Sequence, residues 1–226
     1  MAARVMLCGT CTAEDVKMLV EEGVDGIGLI TDVDQDIACR LSRKAAEELC
    51  RLVPPLVSSV LVITEEDTED ICELAGFVAA DTLHLHGYNP PEQLELLKKR
   101  LRMSIVKTLH VEGENLLESS EPLEYALSCV QAGADGILLD SAEGGKYGST
   151  GRAASFELAQ RIRDAVYPVP FILAGGLGPG NVSEAISKVH PFGVDAFSSV
   201  IERDRLDRKK VRRFITAVKG VAAAFR

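Results

Sequence analysis

The sequence predicts an α/β fold, a closed (β/α)8 barrel, from three observations. Eight short apolar, β-branched runs alternate with eight stretches of helical spacing along 226 residues, about 28 residues to a unit. The apolar runs are nearly continuous, as in parallel strands covered on both faces. An internal echo relates Glu22-Gly23-Val24-Asp25-Gly26-Ile27-Gly28-Leu29-Ile30 to Ala132-Gly133-Ala134-Asp135-Gly136-Ile137-Leu138-Leu139-Asp140. These segments open the second and sixth strands, four units apart, as duplicated half-barrels would place them. An open doubly wound sheet could use eight such units, but repetition at this spacing favours closure.

The units read in order along the chain. Strand 4–8 leads to helix 12–22, where Thr12 precedes Glu14 and Asp15 as a helix start should. Strand 26–30 pairs with helix 43–52, strand 57–63 with 66–76, and strand 82–86 with 90–100, the last opened by Asn89 and Pro90-Pro91. Strand 104–110 leads to helix 121–132, strand 136–140 to 155–165, strand 170–174 to 179–188, and strand 194–198 to 207–223. Nothing rich in Pro, Gly or Ser interrupts the series, so one domain over residues 1–226 is expected.

Composition narrows the function classes. The chain is 46% hydrophobic, enough for a sizeable core, and its 25 basic against 34 acidic residues leave a charge of −9. Such a field repels phosphate backbones and anionic bilayers, so neither nucleic acid nor membrane is an expected partner. No apolar run approaches the ~18–20 residues that cross a bilayer. Met1-Ala2-Ala3-Arg4 runs at once into Val5-Met6-Leu7 without the layered plan of an export signal. The six cysteines are too dilute for a disulfide scaffold, and a reduced, cytoplasmic protein is expected.

Reactive groups in such a barrel lie at the C-terminal ends of the strands. Those ends are Cys8, Thr31, Ile63, His86, His110, Asp140, Ala174 and Ser198. Cys8 is either a small buried apolar side chain or a general base; Asp140 is either a loop acceptor or a general acid. Cys8 and Cys11 form a CxxC, but Thr12, Glu14 and Asp15 follow it, and added negative charge does not favour a thiolate. The remaining cysteines have no paired spacing, so no zinc site and no other metal site is expected. His86 reads as a polar substrate contact, and His84, one layer deeper, as an interior histidine. The loops Ala174-Gly175-Gly176-Leu177-Gly178 and Phe197-Ser198-Ser199, after strands seven and eight, are where such barrels hold a phosphate on backbone N–H groups. The glycine-rich run 144–152 reads as a lid, and the basic run Arg203 to Arg213 as the solvated face of the last helix.

These motifs together resemble the phosphoribosylanthranilate isomerase family, (β/α)8 TIM-barrel enzymes of tryptophan biosynthesis. The resemblance rests on Cys8-Gly9 with Thr12, Glu14 and Asp15; Leu85-His86-Gly87; Leu139-Asp140-Ser141; Gly148-Ser149-Thr150-Gly151; Leu173-Ala174-Gly175-Gly176-Leu177 with Pro179, Asn181 and Val182; and Gly193-Val194-Asp195. It implies a cofactor-free Amadori rearrangement of a small phosphorylated substrate by a monomer or homodimer. It further implies Asp140 as general acid and Cys8 as general base. Gly175, Gly176, Ser198 and Ser199 would hold the phosphate, and His86 and Asp195 would line the pocket. The family's lysine two residues before the cysteine is Met6 here. Its carboxylate-binding arginine after strand two has Arg40 as the nearest substitute. The alternatives are a paralogous barrel isomerase for another phosphorylated aldose derivative, or a silent phosphate-binding barrel.

Overall fold

A computed structural model describes residues 3–34, 37–143, 146–147 and 155–224. Eight strands, β1 Arg4–Cys8, β2 Gly26–Ile30, β3 Ser58–Ile63, β4 Thr82–Leu85, β5 Ser104–Glu112, β6 Gly136–Glu143, β7 Phe171–Leu173 and β8 Gly193–Ala196, alternate with eight helices. The helices are α1 Ala13–Glu22, α2 Arg43–Cys50, α3 Thr68–Val78, α4 Pro91–Arg100, α5 Pro122–Gln131, α6 Phe156–Val166, α7 Val182–Val189 and α8 Arg208–Ala224. Every barrel strand pairs in parallel with the next, and β8 returns to β1 through Val5↔Val194 and Met6↔Asp195, so the sheet closes. The expected single-domain (β/α)8 barrel is what forms. The stretch 144–152, expected as a lid, lies outside the described residues apart from Lys146–Tyr147, which pairs antiparallel with the end of β6.

The pleat divides the apolar side chains into two sets. Leu7, Ile27, Leu29, Leu61, Leu83, Ile105, Leu109, Ile137 and Leu139 face outward into one large cluster under the helices, all essentially inaccessible to solvent. Their neighbours face the barrel axis, where Cys8, Ile30, Val33, Cys39, Val60 and Val62 form a smaller cluster. Helix starts follow local chemistry. Thr12 and Asp15 make a reciprocal capping box at α1. The start of α3 falls at Thr68 rather than residue 66 because the Asp67 carboxylate accepts the N–H groups of Glu69 and Asp70. Asn89 does not cap α4. It is buried, and its amide donates to the Glu65 carbonyl (2.9 Å).

The internal echo has a physical counterpart at the N-terminal face. The Asp25 carboxylate accepts the Val5 N–H (2.9 Å), and Asp135 accepts the Ile105 N–H (2.8 Å). Asp81, before β4, accepts the Ser59 N–H (2.8 Å) in the same way. Each aspartate thus clasps the strand that precedes it in the barrel and fixes their relative register. A hydrogen bond to a charged group contributes about 1.5–3 kcal/mol. Asp25→Ala is expected to lower unfolding stability by about 1–3 kcal/mol. Denaturant unfolding checks this; unchanged stability would remove the clasp's role.

Candidate active site

The strand C-termini bring four of the expected side chains to one mouth. Cys8 ends β1 and is 4% exposed, and its thiol donates toward Asp195 on β8, with Sγ 3.5 Å from Oδ1 and 3.8 Å from Oδ2. Across the barrel, His86 follows β4 and lies with Nε2 3.2 Å from Oδ2 of Asp140 on β6. The other Asp140 oxygen, Oδ1, is buried with no hydrogen-bond partner among the described residues, which suits an atom awaiting a substrate.

Glycines make the room. A Cβ at Gly28, the register partner of Cys8, would stand 2.3 Å from Sγ. Gly175, with φ +76°, turns the chain so tightly after β7 that a Cβ would meet Ser141 Oγ at 2.2 Å and Asp140 Oδ1 at 2.6 Å. The loop after β7 is then braced by Asn181, whose oxygen accepts the Gly178 N–H (2.7 Å) and whose amide donates to the Gly176 carbonyl (2.9 Å). Gly178 faces Ser199 so closely that a Cβ there would lie 3.5 Å from the serine Cβ, in ordinary contact. The loops after β7 and β8 therefore meet, as a phosphate cradle requires. β8 stops at Ala196, short of residue 198, because Phe197 turns the chain into a 3-10 turn over Ser198–Val200. The Ser199 hydroxyl is buried in that turn without a partner among the described residues.

Burial sets the protonation of these groups. It pushes the Cys8 thiol well above its ordinary value, and the neighbouring Asp195 charge pushes the same way. Burial and the nearby Asp140 push the Asp195 carboxyl up to about 7, against the thiol's hydrogen bond. His84 is fully buried one layer deeper, as expected of an interior histidine, with Nε2 2.6 Å from Thr108 Oγ1; burial holds its pKa well below the usual imidazole range.

His110 is an expected strand end, but its partner Glu118 escaped the sequence reading, as did Lys107 and Gly28. The His110 ring is edge-on to His86 at 5.2 Å, and its Nδ1 lies 2.6 Å from the Glu118 carboxylate. Lys107 is completely buried on the outer side of β5 and donates to the Gly87 carbonyl (2.6 Å), next to His86; burial pushes it down to about 8. A lysine in the middle of the apolar run Ile105 to Leu109 was the available signal. Gly28 carried no signal beyond its place in the echo.

Arg40 stands apart from this group. It is exposed on the loop between β2 and α2, with its guanidinium donating to the Val33 carbonyl (3.4 Å). Its neighbour Cys39 packs in the small cluster with Cys8. All six cysteines are free thiols. The basic run on α8 pairs outward, Arg208 with Glu21 and Glu22 and Arg212 with Glu22, on the solvated face expected of it. A cavity of about 910 Å³ opens at the opposite, N-terminal face beside Pro54, Leu56 and Phe192, away from every strand C-terminus, and takes no part in this site.

Comparison with known proteins identifies the family. The family model for N-(5'phosphoribosyl)anthranilate (PRA) isomerase matches residues 5–217. The chain belongs to that family. N-(5'-phosphoribosyl)anthranilate isomerase 1 of Methanosarcina mazei is 36% identical over 96% of this chain and 94% of its own length. The crystal structure of phosphoribosyl anthranilate isomerase from Thermotoga maritima superimposes with a TM-score of 0.81 at 29% identity, covering 96% of this chain and 99% of that one. A family structure solved with reduced 1-(o-carboxyphenylamino)-1-deoxyribulose 5-phosphate superimposes with a TM-score of 0.77 at 28% identity, covering 96% and 99%.

In this isomerase the raised thiol pKa means that Cys8 rests protonated. Iodoacetamide should alkylate it at a rate still climbing at pH 9, its ordinary value being 9.0. Mass-spectrometric mapping of the alkylated site checks this, and a rate plateau near pH 7 would mean a resting thiolate.

Proposed function

We propose that the chain converts N-(5'-phosphoribosyl)anthranilate to 1-(o-carboxyphenylamino)-1-deoxyribulose 5-phosphate, the Amadori rearrangement of tryptophan biosynthesis. The observation that carries the roles is one mouth holding a thiol on β1 and, on β6, a carboxyl with one oxygen that has no hydrogen-bond partner among the described residues. The substrate is an aldosylamine closed as a furanose. Asp140 donates its proton to the ring oxygen, the C1–O bond breaks, and the nitrogen lone pair forms the C1=N double bond. His86, bonded to the other Asp140 oxygen, holds the acid in place. Cys8, as thiolate, then takes the C2 proton. The released pair forms C1=C2 and the iminium nitrogen accepts the electrons, giving an enolamine. Tautomerisation moves the C2 hydroxyl proton away and adds one at C1, leaving the ketose.

Backbone N–H groups around Gly175, Gly176, Ser198 and Ser199 hold the phosphate, where the glycines let the backbone approach. The Ser199 hydroxyl, without a partner among the described residues, can donate to the phosphate. Asp195 lines the same pocket beside Cys8. Arg40 reaches the anthranilate carboxylate from the rim by leaving the Val33 carbonyl. The enzyme works on a small molecule in the cytoplasm, as a monomer or homodimer.

The test is turnover of freshly prepared phosphoribosylanthranilate, followed by loss of its anthranilate-type fluorescence. The wild type should turn over, and Cys8→Ala and Asp140→Asn should each lower kcat about 100- to 10,000-fold. An inactive wild type would overturn the reading. Full activity in either variant would overturn that residue's role.

A further inference from the structure

We propose that Asp195 is a third catalytic residue, the acceptor of the Cys8 thiol proton, and that it closes a proton circuit between the base on β1 and the acid on β6. The inference rests on the isomerase reading above and assigns Asp195 a step within it.

The geometry comes first. Both Asp195 oxygens lie within hydrogen-bonding reach of Sγ, at 3.5 and 3.8 Å, and the pair is largely buried at the mouth, with Cys8 4% and Asp195 9% exposed. A thiol that must become a thiolate inside this pocket has the Asp195 carboxylate as its partner. The nearest residue on the Cys8 face of β1 is the uncharged Met6, the register partner of Asp195, and Arg4 beyond it is paired with Asp25. The charged and titratable groups facing Asp195 are Cys8 from β1, Asp140 from β6 and His86 from β4, together with the Ala196 backbone on its own strand. Once Asp140 has given up its proton, burial and its charge push the Asp195 carboxyl up to about 7, so the proton from the thiol finds an acceptor far more basic than an exposed aspartate.

The protons balance without any further reactant. For the reaction to start, the one proton the two carboxyls share must sit on Asp140, with Cys8 a thiol and Asp195 a carboxylate. Asp140 gives its proton to the ring oxygen and becomes a carboxylate. As positive charge develops on the iminium, the Sγ–H proton moves to Asp195, leaving a thiolate beside a neutral carboxyl. The thiolate takes the C2 proton and is a thiol again. The proton on Asp195 then passes across the pocket to Asp140. The two carboxyls hold one proton between them, now on one wall and now on the other, and the starting state returns. Tautomerisation of the enol consumes and releases one proton, so the cycle is neutral.

Asp195→Asn separates this role from simple lining. Asparagine keeps the shape and can still accept a hydrogen bond from the thiol, but it cannot take the proton. Removing the negative neighbour also makes the thiolate easier to form, so alkylation of Cys8 by iodoacetamide at pH 8 should speed up. The expected result is a kcat about 100-fold lower or less, with KM within about threefold, despite that more reactive thiol. Asp195→Glu should recover part of the loss. A second readout uses the wild type alone: kcat should fall as pH rises above about 7, where the two carboxyls lose the one proton they share and Asp140 has none to donate. A wild-type kcat that stays flat from about pH 6 to 8.5 overturns the inference even if the variants fail to fold. So does an Asp195→Asn enzyme with kcat within about threefold of wild type and faster alkylation. Either result leaves the isomerase reading standing, whereas a wild type with no turnover ends both.

Discussion

The pleat of a closed parallel sheet is the constraint on which the site depends. Side chains on a strand alternate between the axis and the helices, and pairing fixes which positions on neighbouring strands share a face. Met6 with Asp195, Cys8 with Gly28, and His110 with Asp140 are such pairs, and all face the axis. A slip of one residue in any of these ladders would turn its reactive group into the apolar layer under the helices. The aspartate clasps at the N-terminal face and the proposed catalytic groups at the C-terminal face therefore share one register, although the barrel separates them.

The mouth is built to contain little permanent charge. Burial drives the thiol of Cys8 and the carboxyl of Asp195 upward and the imidazoles of His84 and His110 and the ammonium of Lys107 downward. Each shift favours the neutral form. Permanent charges on the outer surface are held in pairs such as Arg100 with Glu69 and Arg212 with Glu22. An anionic sugar phosphate thus meets a pocket whose groups exchange protons at small cost and repel it little. The tight supports behind the mouth, Lys107 on the Gly87 carbonyl and Glu118 on His110, fix the loop and ring that border His86.

Much of this was legible in the sequence because period and composition are local properties. Apolar runs of strand length between helical stretches suffice for the barrel, and the echo around Asp25 and Asp135 marks a clasp that recurs in three dimensions. Cys8 and Asp140 could be found by reading the last residue of each strand. Boundaries shifted where one side chain decided them, as Asp67 does for α3 and Phe197 for the end of β8. The contact between Cys8 and Asp195 was out of reach, since 187 residues separate them and only barrel closure brings β8 against β1. Gly28 was illegible for a related reason: its meaning lies in the sulfur of the neighbouring strand.

The central claim is that a thiol and a carboxyl approach one pentose skeleton from facing walls while its phosphate rests on the loops after β7 and β8. A crystal structure of this protein with reduced 1-(o-carboxyphenylamino)-1-deoxyribulose 5-phosphate tests it most directly. The account places the phosphate against Gly176 and Ser199, the C2 carbon beside Cys8 Sγ, and the hydroxyl derived from the ring oxygen at Asp140 Oδ1. A ligand seated elsewhere, or one whose C2 lies beyond contact with the sulfur while Asp140 faces away, would contradict it.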